Sequence, residues 1–139
     1  MRTPRLGLLL VFICAGLVRA DSPSDVLTFL QKAADALTNE DARTFLEHVD
    51  HSMPGYATLQ GNIEGLMAAY DVESSIEIAG DDGDRQKRTL TLDWVLIAEQ
   101  KSDTRGDRMR RRALLHCTIE RRGKQWKITA LEPLDFFKY

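Results

Sequence analysis

Residues 85–99 read RQKRTLTLDWVLIAE. Leu90, Leu92, Trp94, Leu96 and Ala98 recur at every second position, with Thr91, Asp93 and Val95 between them. A period of two is that of a strand whose successive side chains point to opposite faces. The stretch predicts a long strand with one apolar face. Two more follow. Residues 109–121 (MRRRALLHCTIER) point Met109, Ala113, Leu115, Cys117 and Ile119 inward, and residues 125–131 (QWKITAL) carry Trp126, Ile128 and Ala130. The connections at 101–107 and at Arg122-Gly123-Lys124 are short and polar. Strands joined that way form an antiparallel meander. Upstream, Val72, Ser74, Ile76 and Ile78 alternate, and Asp81-Asp82-Gly83-Asp84 reads as a turn.

Before residue 72 the period is helical. Ser22-Pro23-Ser24-Asp25 matches a capping box with Pro at the first helical position. Val26, Leu27, Leu30, Ala33, Ala34 and Leu37 follow at helical spacing. Thr38-Asn39-Glu40-Asp41 reads as a second box, opening a helix with Ala42, Phe45, Leu46 and Val49 that Pro54-Gly55 stops. A third helix fits Tyr56 to Tyr70, with Tyr56, Leu59, Ile63, Leu66 and Tyr70 on one stripe and the small residues Ala57, Gly61 and Gly65 on another. Interior glycine usually marks a close approach, so the small stripe is expected to pack tightly. Helices first and strands after predict an α+β fold, with the helices on one face of the sheet.

The paired helices Val26–Leu37 and Ala42–Val49, the long strands around Trp94 and Leu115, and the closing strand Trp126–Leu131 resemble the nuclear transport factor 2-like superfamily, with its SnoaL-like and ketosteroid-isomerase-like members. The resemblance covers about residues 24–137 and rests on the order of elements. It implies a curved sheet wrapped around helices, with a cone-shaped cavity or its collapsed remnant. The chain departs at Asp50–Tyr56, too short for the hairpin that the family carries between its second and third helices.

The N-terminus has the tripartite plan of a secretory signal: Arg2 and Arg5, the uncharged run Leu6–Val18, and Val18-Arg19-Ala20 before a cut after Ala20. The run is shorter than the roughly 20 residues a membrane-spanning helix needs. The expectation is residues 1–20 as signal and 21–139 as one exported domain, periplasmic or secreted, touching a membrane only through an uncleaved signal. After such a cut Cys117 is the one cysteine left, so the core rather than a disulfide must hold the fold.

Charge divides the chain. Residues 21–84 hold 14 Asp or Glu against 2 Lys or Arg, and residues 85–139 hold 14 Lys or Arg against 7 Asp or Glu. The halves either match each other internally or present a charged surface to a partner, a homodimer among the candidates. Arg108, Arg110, Arg111 and Arg112 gather at one end of a strand, and Arg121, Arg122 and Lys124 at the other. They form two groups without interleaved aromatics, in a net acidic chain, so no nucleic acid is expected as a partner.

Ketosteroid-isomerase-like members use a carboxylate base with a tyrosine and a protonated aspartate as donors. Asp50 and Asp93 are the carboxylates to weigh, and Tyr56 and Tyr70 the donors; no position matches the catalytic set, and no catalytic residue is assigned. Asp93 lies mid-strand, facing either a lumen or solvent, where an arginine of the next strand would be its ordinary partner. His116 and Cys117 point to opposite faces and cannot form a nucleophile pair. Cys117 reads as a core thiol, and His116 shares its face with Arg112, Leu114 and Thr118. His48 and His51, with Glu47 and Asp50, have a spacing too common to predict a metal, and no cofactor is expected. The expected ligand-binding residues are Asp93, His116, Tyr56 and Arg112. The function expected first is a non-catalytic module binding a small ligand or a protein, followed by an isomerase or dehydratase and by an assembly protein of the cell envelope.

Overall fold

The computed structural model describes residues 23–102 and 108–139. The expected signal segment 1–20, the first capping residue Ser22 and most of the polar loop lie outside the described residues. Three helices precede four strands: α1 (Pro23–Thr38), α2 (Ala42–Glu47), α3 (Tyr56–Ala69), β1 (Tyr70–Gly83), β2 (Lys87–Gln100), β3 (Arg108–Arg122) and β4 (Gln125–Glu132). A single 3-10 turn, Leu134–Phe137, follows β4. The strands form one antiparallel sheet in the order β1-β2-β3-β4. The architecture is therefore the α+β meander the periodicities predict.

The alternation in β2 decides which face is which. Leu90, Leu92, Trp94, Leu96 and Ala98 are fully buried under the helices, as are Leu115 and Ile119 of β3 and Ile128 of β4. Val26, Leu30, Ala33 and Leu37 of α1, Phe45 of α2, and Leu59, Ile63 and Leu66 of α3 complete this core. Side chains at the odd positions of β2 (Thr91, Asp93, Val95, Ile97) occupy the outer face, half-buried by their neighbours.

Several local readings are corrected. The cap of α2 is Asp41, whose carboxylate accepts from the Thr44 backbone amide at 3.0 Å and from its hydroxyl at 2.6 Å. Thr38 stays in α1, where its hydroxyl donates to Ala34 and meets the backbone of Ser74. Val49 leaves the helix to pair with Ile128 in an isolated parallel bridge, which covers the outer edge of β4. The Ala57, Gly61 and Gly65 stripe faces solvent: a side chain added at Gly61 or Gly65 would meet nothing within 4 Å. The faces of α3 are set by Leu59, Ile63, Leu66 and Met67, so the glycines fall on the solvent side by remainder. Asp81-Asp82-Gly83 belongs to β1 after a bulge at Ala79, and the reversal comes at residues 84–86. Met109, expected inward, is 40 % exposed, because β3 runs past the cover of the helices at that end.

Candidate functional site

The interior expected to hold a cavity is filled with aromatic rings. The Phe137 ring lies 5.1 Å from Trp94 at 83° and 6.1 Å from Phe45, while Phe136 stands 5.1 Å from Phe137 and 6.2 Å from Trp94. Edge-on contacts at such separations are the favourable geometry for aromatic pairs. Phe136 and Phe137 come from the 3-10 turn after β4, which tucks under the sheet beside α3. Asn62 of α3 donates to the Leu134 carbonyl at 3.3 Å. Among the described residues no polar or charged residue is buried. The buried donors of the interior are aromatic: the Trp94 indole donates to the Ser74 hydroxyl at 2.8 Å, and Trp126 Nε1 and the Tyr139 hydroxyl are buried without a protein partner among the described residues.

Arg111 latches this filling. It lies on the inner-face parity of β3, between Met109 and Ala113. One guanidinium nitrogen donates to the carbonyls of Asp135 (3.2 Å), Phe136 (3.0 Å) and Lys138 (2.7 Å). Its plane lies over the Tyr139 ring at 4.1 Å, and Tyr139 packs on Tyr70 at 5.3 Å. The sequence reading missed both Arg111 and the tail. The signals were present: an arginine at an inward strand position, and the unexplained cluster Phe136-Phe137-Lys138-Tyr139.

The outer face of the sheet carries most of the expected site. Asp93 and Arg112 come together: Nε donates to one carboxylate oxygen at 2.9 Å and Nη2 to the other at 2.6 Å. This bidentate pair is the cross-strand arginine contact weighed from the sequence. The Arg112 guanidinium holds the Asp93 carboxyl below the usual carboxylate range. A general base with a raised pKa is therefore not what Asp93 supplies. His116 lies on the same face opposite Thr91, one pair beyond Asp93 and Leu114. Tyr56 is elsewhere, at the start of α3, with its ring 4.7 Å from His51. The four residues do not converge on one point.

Asp50 is equally unlike a base. It accepts from the Ser52 hydroxyl (2.5 Å) and amide (2.8 Å) and from Arg122 Nε (3.0 Å). The two Ser52 bonds first, and Arg122 after them, pull its pKa down to about 2. A carboxylate depressed in the fold contributes stability above its unfolded pKa near 4 and loses it as pH falls toward the folded value. The wild type is expected to lose more unfolding free energy between pH 4 and pH 2 than Asp50→Asn, as urea titrations at stepped pH would measure. Equal losses in both proteins would rule this contribution out.

Cys117 is buried in the core, and desolvation pushes its thiol up to about 12. It is a small apolar filler there, not a nucleophile. His48 spends Nδ1 on the Thr44 carbonyl at 2.8 Å and stacks on Phe29 at 5.2 Å. Among the described residues no group of three His, Cys, Asp or Glu side chains is placed to hold a metal. None of the described helices is long and apolar enough to cross a membrane.

No family model and no curated protein sequence matches the chain. Solved structures do. A conserved protein from Planctomyces limnophilus superposes with a TM-score of 0.67 at 11% identity, over 76% of this chain and 89% of that one. A provisionally assigned scytalone dehydratase from Novosphingobium aromaticivorans gives 0.67 at 9% identity, over 76% and 78%. A nuclear transport factor 2-like protein of unknown function from Shewanella oneidensis gives 0.60 at 11% identity, over 79% and 97%. Likeness at such identities is likeness of fold, and this fold hosts many functions. The chain has the nuclear transport factor 2-like fold, with its cone filled by the residues that follow the last strand.

Proposed function

We propose that this chain is a non-catalytic binding module that recognises a protein partner through the outer face of its sheet, the first partner being a second copy of itself. The observation that carries this reading is the filled cone: Phe45, Trp94, Phe136 and Phe137 occupy the space a substrate would need. Recognition is left to the surface. The outer face has a semi-apolar centre, Val95 and Ile97, beside Leu114, which is 58% exposed. β1 on one side of it carries Asp71, Glu73 and Glu77, and β3 on the other carries Arg108, Arg110 and Arg112.

The register makes the face self-complementary. Asp71, Glu99 and Arg108 share one row across the sheet, and Glu73, Ile97 and Arg110 the next. A two-fold axis along β2, lying between two stacked faces, sets β1 of each copy over β3 of the other. Asp71 then meets Arg108 of the second copy and Glu73 meets Arg110, around Val95 and Ile97 at the axis. Such an interface is the same patch on both copies, as closed dimers require. Sedimentation of the exported chain should give the mass of two copies, and Arg110→Glu combined with Leu114→Glu should give one. High salt should weaken the pair, because rim charges are screened within about 8–10 Å. A mass of one copy at every concentration would remove this reading.

The place of action in this proposal is outside the cytoplasm. It is supported by Arg2, Arg5, the apolar run Leu6–Val18 and the small residue at Ala20.

A further inference from the structure

The turn between α1 and α2 carries Glu40 in the left-handed region, at φ 57°. That conformation is uncommon for a residue with a side chain. It closes the end of α1: the Glu40 amide donates to the Leu37 carbonyl at 3.1 Å, and the Asp41 amide to the Ala36 carbonyl at 2.8 Å. The Glu40 carboxylate then reaches Lys101, just past β2, whose Nζ donates to it at 3.0 Å. Lys101 is held from a third side. Its Nζ also donates to the Met67 carbonyl at 2.9 Å and its amide to the Ala69 carbonyl at 3.0 Å, both at the end of α3.

Asp71 completes the cluster. It is an exposed residue at the start of β1, and its carboxyl shares a hydrogen bond with that of Glu40. The two line one cleft with Glu73, Glu99 and Arg108. Two carboxyls can hydrogen-bond only while one of them keeps a proton, and without it they repel. Lys101 stands against Glu40, which favours the ionised form of Glu40 and leaves the proton to Asp71. The Glu40 contact first, and desolvation after it, hold the Asp71 carboxyl above the usual carboxylate range, while hydrogen bonds with Asp71 and then Lys101 hold Glu40 below it. Glu99, opposite Asp71 in the register, adds to the rise, and Lys101 opposes it. Arg108 is drawn to Glu73 at 3.7 Å and to Glu99 at 3.9 Å. Asp41 turns to Thr44, and α1 and α3 bring the neutral Thr38 and the Met67 carbonyl. As pH rises through its raised pKa, Asp71 becomes an anion beside Glu40 and Glu99.

We infer that Asp71 is a proton-controlled contact of the dimer face, held by Glu40 while protonated and released to Arg108 of the second copy when it ionises. The inference rests on the proposed dimer, in which Asp71 stands over that Arg108. A neutral Asp71 leaves the arginine without its counter-charge. An ionised Asp71 is repelled by its own Glu40 and Glu99 and attracted across the interface. Proton release and dimerisation are therefore linked, each favouring the other. The two-fold axis repeats the contact, so each dimer carries two such switches.

The test is the dimer dissociation constant of the exported chain, measured by sedimentation at fixed ionic strength from about pH 4.5 to about pH 7.5, above the ordinary carboxyl range. Carboxyl carbon NMR of Asp71 and Glu40 accompanies it. The wild type should dimerise at least about threefold more tightly at the upper pH, as two exposed ion pairs form. Glu40→Gln keeps an acceptor for Lys101 and gives Asp71 an N–H donor. It should lower the Asp71 titration, so that at about pH 5 this variant dimerises more tightly than the wild type. Asp71→Asn should abolish the tightening and stay as weak as the wild type in acid. Both substitutions are at exposed side chains and leave the core untouched. His116, on the same sheet face, is kept in every variant, so any pH dependence it causes survives Asp71→Asn. A dimer indifferent to pH, a tightening that survives Asp71→Asn, or one unmoved by Glu40→Gln would overturn the inference while the dimer stands. A mass of one copy at every pH would overturn both, and an Asp71 carboxyl titrating in the ordinary range would remove the shared proton itself.

Discussion

Phe137→Ala is expected to lower the unfolding free energy by about 3–5 kcal/mol, the range for removing a buried aromatic side chain from a packed core. Phe137 is fully buried and touches three other rings, Phe45, Trp94 and Phe136. The space it leaves is bounded by the rigid β2 side and by α3, and neither can move in far without losing contacts elsewhere. The cost should therefore include the cavity as well as the lost transfer energy. Urea unfolding followed by Trp94 and Trp126 fluorescence would measure it. Phe137→Leu, which refills most of the volume, should recover more than half of the loss. If Phe137→Ala unfolded within about 1 kcal/mol of wild type, the tail would be an ornament on the cone rather than its filling.

Arg111→Ala should cost about 2–3 kcal/mol, since hydrogen bonds to a charged donor are worth about 1.5–3 kcal/mol and their loss leaves acceptors behind. The carbonyls of Phe136 and Lys138 accept from this guanidinium, that of Asp135 shares it with the Lys138 amide, and the Tyr139 ring loses its stacked cation. The damage should be local first. Amides of residues 134–139 should exchange faster in Arg111→Ala, while those of Leu92 and Leu115 in the sheet should change far less. Arg111→Lys should behave more like Arg111→Ala than like wild type, because a single ammonium lacks the planar fork that reaches carbonyls and ring together. Uniformly faster exchange throughout the sheet would mean that Arg111 holds the whole fold and not the tail.

These two expectations concern residues that the sequence did not single out, and the reason is physical. Period two in β2 exposes a strand because every residue of a strand alternates between the same two environments. No period marks the tail: Leu134–Phe137 is one turn, too short to repeat. Arg111 was read as one of a cluster of four arginines, when parity already separated it. Arg110 and Arg112 share the outer face, and Arg111 points inward with Leu115 and Cys117. The paired Asp93 and Arg112 were legible as alternation plus register, since antiparallel counting brings residue 112 opposite Val95, beside Asp93. The separation of Tyr56 from Asp93 was not, because its stripe gives the face of α3 without saying where α3 sits against the sheet.

The glycines of α3 teach the opposite lesson. Gly61 and Gly65, one turn apart, suggest close packing, yet they lie against solvent. Helix faces are assigned by the most apolar stripe, and Leu59, Ile63 and Leu66 outweigh the small one. The capping of α2 by Asp41 rather than Thr38 has a similar origin. Both residues are good caps, and the choice fell to Ser74 of β1, a residue 36 positions away that takes the Thr38 hydroxyl.

By itself the sequence determined the α+β order, the antiparallel meander, and the burial of Cys117. All of these follow from local periodicity and short connections, which need no knowledge of distant contacts. Only the tertiary structure decided that the cone is filled, that Asp93 faces outward, and that Arg111 holds the tail. Each of these depends on which segments, far apart in the chain, come to share one space, and side-chain alternation constrains a face without saying what will cover it.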